Sequence, residues 1–135
     1  MRALVLLAIV LIALTAPAGA ADDVAAAQTV IRSQTEAFGR DDAQGAWSYA
    51  APEIHDRFHQ ADIFLMMVQR GYPPVYRHKT FEFGEAKVSD GVIAQRVHII
   101  DAEGQAWEAL YTLERQPDGS LKITGCSLLK AGQAV

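Results

Sequence analysis

The sequence predicts an α+β domain, with helices in its first half and a four-stranded antiparallel meander in its second. Two observations carry this. Apolar residues recur at helical spacing between Val24 and Arg70, and three loops of three residues each end in glycine further on. These loops, Ser89-Asp90-Gly91, Ala102-Glu103-Gly104 and Pro117-Asp118-Gly119, join segments whose apolar residues alternate. That is the pattern of hairpins closed by a type I turn and a left-handed glycine.

Of the 135 residues, the first 20 read as a leader rather than as part of the domain. Met1-Arg2, the apolar run Ala3–Leu14, the breaker Pro17 and the triplet Ala18-Gly19-Ala20 are the parts of a secretory signal peptide. Cleavage after Ala20 leaves residues 21–135 as a single periplasmic or secreted domain. An uncleaved anchor is the competing reading, but the strongly apolar run is about half of the roughly 20 residues a spanning helix needs. Stable membrane insertion is therefore not expected after cleavage. The chain's only cysteine, Cys126, lies far from the leader. That excludes a lipid-anchored leader and an internal disulfide, so the domain relies on its core.

Of 12 Lys/Arg, Arg2 is lost with the leader, which takes the net charge from −4 to −5 against 16 Asp/Glu. With no basic cluster, nucleic acid and anionic membranes are not expected partners. No internal repeat or low-complexity linker divides the chain.

Asp22-Asp23 can cap a first helix that places Val24, Ala27, Ile31, Gln34 and Phe38 on one face and stops near Gly39. Asp41-Asp42 can cap a shorter helix turning Ala43, Ala46, Trp47 and Ala50 inward. Pro52 suits the first turn of a third segment, Pro52–Gln60, anchored by Phe58. Asp62 can cap Ile63–Arg70, with Gly71 as its stop. Tyr72-Pro73-Pro74-Val75 then reads as an extended linker, either a rigid crossover or an exposed aromatic surface for a partner.

In the sheet, hairpin loop length sets the register, and a slip of one residue flips every side chain. Taking all three loops as three residues long pairs Phe81 with Ile99, Phe83 with Val97, Trp107 with Ile99 and Ala109 with Val97. It also pairs Leu113 with Ile93 and Ile123, and Leu129 with Trp107. All hairpins then choose the same odd-numbered face as core. The other face carries Glu82 across from His98, with Arg96, Glu108, Thr112, Glu114, Lys122 and Thr124, and reads as solvated. A loop of only Asp90-Gly91 would set Phe81 and Phe83 on a face with Arg96 and His98.

One inward row is polar: Glu85, Gln95, Tyr111 and Gly125. Buried without partners, such groups cost on the order of 1–3 kcal/mol each. They must bond one another, reach water or line a pocket between sheet and helices. The last alternative makes Glu85 and Tyr111 catalytic candidates, a general base and an oxyanion donor. The pocket would also be lined by Gln95, Trp47, Trp107, Phe83 and Met67. Gly125 leaves space there or marks a bulge.

His55 and His59, four apart, could share a helix face, but Asp56-Arg57-Phe58 supplies no H-E-x-x-H glutamate and no third ligand is near. They read as surface or capping histidines, and no metal or other cofactor is expected. Cys126 reads as a small buried residue with no basic neighbour to activate it. G-x-S-x-G, P-loop and C-x-x-C motifs are absent.

Three strings carry a resemblance: Gln34-x-Glu36-Ala37-Phe38 with Asp41-Asp42, Gly71-Tyr72-Pro73-Pro74-Val75-Tyr76-Arg77, and Tyr111–Ser120. Over roughly Val24–Leu129 the chain resembles a family of short exported bacterial proteins known as domain of unknown function 4864. Similar sequences carry an aromatic two positions after the last turn glycine, where this chain has Leu121. The resemblance implies no activity and no catalytic residue. The layout also resembles the cystatin-like and nuclear-transport-factor-two-like architecture, which implies a curved sheet wrapped around helices as an open cone. That superfamily holds isomerases, dehydratases, cyclases and non-catalytic binding modules, so the fold does not choose among them.

The leading expectation is a non-catalytic exported module that binds a small apolar ligand or a protein partner. A homodimer through the outer sheet face is left open. The alternative is a cofactor-free lyase or isomerase using Glu85 and Tyr111, and a structural envelope role is a third.

Overall fold

The computed structural model describes residues 19–132. The expected leader, up to residue 18, lies outside them. Helices α1 (Ala20–Gly39), α2 (Ala43–Ser48), α3 (Pro52–Phe58), α4 (Ala61–Gly71) and α5 (Pro73–Tyr76) come first. Strands β1 (His78–Ser89), β2 (Val92–Asp101), β3 (Ala106–Arg115) and β4 (Leu121–Lys130) follow. They form one antiparallel sheet in the order β1-β2-β3-β4. The chain is thus α+β, with the helices packed on one face of a curved meander. Among the described residues, no helix is long and apolar enough to cross a membrane.

The helices form largely for the reasons read from sequence, with shifted ends. Gly19, rather than Asp22 or Asp23, is the N-cap of α1. The two aspartates fall in the first turn, where negative charge meets the unsatisfied N–H groups of the helix. Ala27, Ile31, Gln34 and Phe38 are buried as the spacing requires. Asp42 caps α2 by accepting the Gly45 N–H at 2.9 Å. Helix α3 ends at Phe58, two residues early, because His59 turns left-handed at φ 66°. Helix α4 is capped by Gln60, not Asp62, and buries Phe64 and Val68.

The Tyr72-Pro73-Pro74-Val75 segment is a helical turn, not an extended linker. Prolines fit its first two positions because their missing N–H groups would find no intrahelical acceptor there. The Tyr72 carbonyl accepts from Val75 and Tyr76 N–H, both at 3.0 Å. The turn is then locked to the end of α1. Arg77 donates to the Phe38 carbonyl and to the Asp41 carboxylate, each at 2.8 Å, and the Tyr76 hydroxyl donates to Asp41. The family-like strings Phe38–Asp42 and Tyr72–Arg77 are therefore in contact, and act as a rigid crossover from helices to sheet.

The sheet meets the expected pairing at Phe81–Ile99, Glu82–His98, Phe83–Val97, Trp107–Ile99, Ala109–Val97 and Leu113–Ile123. The first hairpin reaches it by a different route. Ser89 pairs with Val92, so the loop is Asp90-Gly91 alone, with φ of 51° and 78°. Both residues left-handed is the type I′ turn that suits the twist of a hairpin. The one-residue difference is absorbed by a bulge between Phe83 and Ala86. Two departures of one residue cancel beyond it, so the phenylalanines keep their predicted partners.

A second bulge lies in β4. Leu113 pairs with Ile123 but Thr112 pairs with Gly125, so Thr124 is extra. From there Cys126 faces Tyr111, and Lys130 rather than Leu129 faces Trp107. Leu129, expected inward, is 52 % exposed. The expected polar row Glu85–Gln95–Tyr111–Gly125 is accordingly Ala86–Gln95–Tyr111–Cys126. Bulges bend the strands that carry them, and here both edge strands bend beside the same row.

Gln95 explains how the β1 bulge is tolerated. Its fully buried amide nitrogen lies 3.0 Å from the Gly84 carbonyl and 2.7 Å from that of Arg96, with Glu85's carbonyl at 3.3 Å. Its oxygen accepts from Gln28 on α1 at 3.1 Å. Replacing Gln95 with Leu orphans these carbonyls. The variant is expected to lose about 2–3 kcal/mol of stability in a urea titration.

Candidate functional site

The β4 bulge opens the sheet edge opposite α3 and α4. Just before it, the connection between α2 and α3 pairs with β4. Ile123 N–H donates to the Tyr49 carbonyl at 2.9 Å, and Ala51 N–H donates to the Ile123 carbonyl at 2.8 Å. Just after it, the Tyr72 hydroxyl donates to the Cys126 carbonyl at 3.0 Å. Between these two anchors the strand and helices line an open-mouthed cavity of about 280 Å³.

Helix α3 supplies Ile54, Arg57 and Phe58, and α4 supplies Phe64, Met67 and Val68. Phe38 and Gln34 come from α1, and the sheet contributes Tyr111 and the stretch Ile123–Cys126. Tyr111 is 1 % exposed, and among the described residues its hydroxyl has no oxygen or nitrogen partner, only the weakly bonding Cys126 thiol facing it. It is the one buried side-chain polar atom so placed among the described residues. Leaving such a donor unmatched costs about 1–3 kcal/mol, which makes it the most informative atom in the fold.

The chemistry of this cavity is neutral. Burial, reinforced by the Cys126 thiol facing it, pushes the Tyr111 phenol well above its ordinary value. Desolvation also pushes the thiol of Cys126, which is half-buried rather than fully buried as expected, up to about 12. Both therefore keep their protons at physiological pH, so neither is a base or a nucleophile there. Among the described residues, neither a carboxylate nor an imidazole lines the cavity. Its one charged lining side chain is the exposed Arg57.

Glu85 and Tyr111 are not brought together. The β1 bulge sets Gly84 and Glu85 against Arg96, and Glu85 is exposed. Of the expected pocket residues, Met67 lines the cavity. Gln95 and Phe83 sit away from it: Gln95 holds the β1 bulge, and Phe83 lies under Arg32 at 5.1 Å. Trp47 stacks on His55 with ring centroids 3.8 Å apart, and His55 Nε2 lies 2.8 Å from the Trp47 carbonyl. That contact occupies His55 away from any metal geometry. No group of three or more His, Cys, Asp or Glu among the described residues could hold a metal ion.

Trp107 lines a different hollow, of about 430 Å³, between α5 and the β2–β3 loop. Its Asp101 carboxylate is already matched. Asp101 accepts the Trp107 indole N–H at 2.8 Å and the N–H groups of Glu103 and Gln105 at 3.0 and 2.8 Å. The indole bond and the loop amides hold its carboxyl below the usual range. This hollow is larger, but among the described residues it holds no buried side-chain polar atom without a partner.

The family model described as domain of unknown function (DUF4864) matches residues 20–134. The chain belongs to that family. No curated protein and no solved structure matches it. In this DUF4864 chain, sequence reasoning named Tyr111 and Met67 but missed Arg57, Phe58 and Cys126 as cavity residues. A signal existed for each. Ile54, Arg57 and Phe58 share a face at i, i+3 and i+4, and Gly125 beside Thr124 suits a bulge that turns Cys126 inward.

The raised Cys126 pKa gives a direct check. Iodoacetamide at pH 8 should label the native chain at least about 100-fold more slowly than the urea-unfolded chain. Because the folded pKa lies above the unfolded one, the thiol's contribution to stability is complete below about pH 9 and fades towards pH 12. Cys126→Ala should flatten that alkaline decline in a pH series of urea titrations.

Proposed function

We propose that this chain is an exported, non-catalytic module that holds a small, largely apolar molecule in the cavity between α3, α4 and β4. The observation that carries this reading is the unpartnered Tyr111 hydroxyl within apolar walls. The hydroxyl is fully buried, so a ligand's acceptor oxygen would reach it by displacing the side chains that cover it, while its apolar part covers the aromatic lining. The cavity, at about 280 Å³, is near the low end for ligand sites and almost twice the size of one that admits benzene. One ring with a short substituent fits that volume.

The absence of a base or activated nucleophile from the lining supports binding over catalysis. The lyase or isomerase alternative needed Glu85 beside Tyr111, and the β1 bulge separates them. Export rests on the leader-like residues 1–20 and on a family match that begins at residue 20. Recovery of the protein from the exported fraction with Ala21 as its first residue tests that part. A cone of the nuclear-transport-factor-two-like kind is the architecture this reading favours, since it places a ligand between a bent sheet and its helices.

The binding claim is tested with two nearly isosteric neutral probes, acetophenone and isopropylbenzene. Calorimetric titration should show the ketone binding about tenfold more tightly, as one buried hydrogen bond allows. Tyr111→Phe should erase the difference while leaving the weaker hydrocarbon binding in place. No binding of either probe would overturn the proposal.

A further inference from the structure

Arg57 adds a second polar feature to the same cavity, at its exposed rim. Of the seven described arginines, Arg40, Arg77, Arg96 and Arg115 each hold a carboxylate within 4 Å, at 3.7, 2.8, 2.9 and 3.3 Å respectively, whereas Arg32, Arg57 and Arg70 hold none among the described residues. Arg57 forms no ion pair with any described residue, although Glu53 precedes it by one helical turn and Asp56 adjoins it. The one charged side chain of the lining is thus a guanidinium not already claimed by a carboxylate. Guanidinium groups bind carboxylates through two parallel hydrogen bonds.

The inner end of the cavity presents a different chemistry. Tyr111 offers a buried, neutral O–H donor, and neither it nor Cys126 carries charge at physiological pH. Phe38, Phe58, Phe64 and Val68 supply apolar walls for whatever lies between the two polar ends. We infer that the ligand is a small apolar monocarboxylate carrying a second, uncharged acceptor oxygen, its carboxylate at Arg57 and that oxygen at Tyr111. This rests on the binding reading above and deepens it by naming the ligand class.

Helix α3 gives the arrangement a structural consequence. It buries none of its residues fully, yet it supplies Ile54 and Phe58 as walls together with Arg57. A carboxylate at Arg57 would tie this weakly seated helix to the ligand and close the cavity's outer wall.

The test uses 4-methoxybenzoate and 4-methoxybenzamide, which match in shape and in the ether oxygen but differ in charge. Titrated into the purified chain at low ionic strength, the acid should bind about tenfold more tightly than the amide. Arg57→Gln should bring the acid down to the affinity of the amide, and Arg57→Lys should restore part of the gap. Arg57 is exposed, so these variants are expected to fold, which their circular dichroism spectra check. Equal binding of acid and amide to the unaltered chain would overturn the ligand class alone. So would an acid preference that survives in Arg57→Gln. Failure of both compounds, and of acetophenone, would instead overturn the binding reading on which the inference stands.

Discussion

One extra residue in β4 decides what this fold can hold. Without Thr124 as a bulge, Gly125 would face Tyr111 and leave that part of the row without a side chain. With it, Cys126 turns inward and Tyr111 lies between a thiol and the helices. A bulge bends the strand that carries it, and here the strand's edge stays engaged on either side. The Tyr49–Ala51 segment pairs at Ile123, and the Tyr72 hydroxyl takes the Cys126 carbonyl. An edge strand satisfied on both sides of a bend need not collapse onto the helices, and the cavity occupies the space between. The crossover that delivers Tyr72 is itself held by Arg77 and Tyr76 on Asp41 and on the end of α1.

Much of this was legible in the residues. The helices, the strand order, the inward choice of Phe81, Val97, Ala109 and Leu113, and the unusual standing of Tyr111 all follow from periodicity and turn chemistry. The bulges did not, for a physical reason. Register was inferred by extending each hairpin rigidly from its loop, whereas a bulge resets the count locally. In β1 a shorter turn and a bulge cancel for Phe81 and Phe83, so the apolar pattern alone could not expose either. Only the residues between turn and bulge, and those beyond the β4 bulge, betray the change. These are Glu85, which moves outside, and Leu129, which is exposed in place of Leu128.

The same local resets decide the chemistry. A carboxylate beside Tyr111 would have made a pair capable of moving a proton. Replacing it by Ala86 on one side, with Cys126 on the other, leaves neutral donors in an apolar setting. Gln95, expected to position a substrate, instead holds the β1 bulge by gathering its unpaired carbonyls. Polar residues in one row therefore serve two ends. Gln95 is matched within the protein and stabilises the fold, whereas Tyr111 finds no oxygen or nitrogen partner among the described residues.

That distinction is measurable without knowing any ligand. In a urea titration of the ligand-free chain, Tyr111→Phe removes a buried hydroxyl that no described oxygen or nitrogen accepts. Stability is expected to stay unchanged or to rise by up to about 1–2 kcal/mol. A loss of about 1.5 kcal/mol or more would mean that the hydroxyl is already satisfied in the native state, and would contradict its assignment as the donor of a binding site.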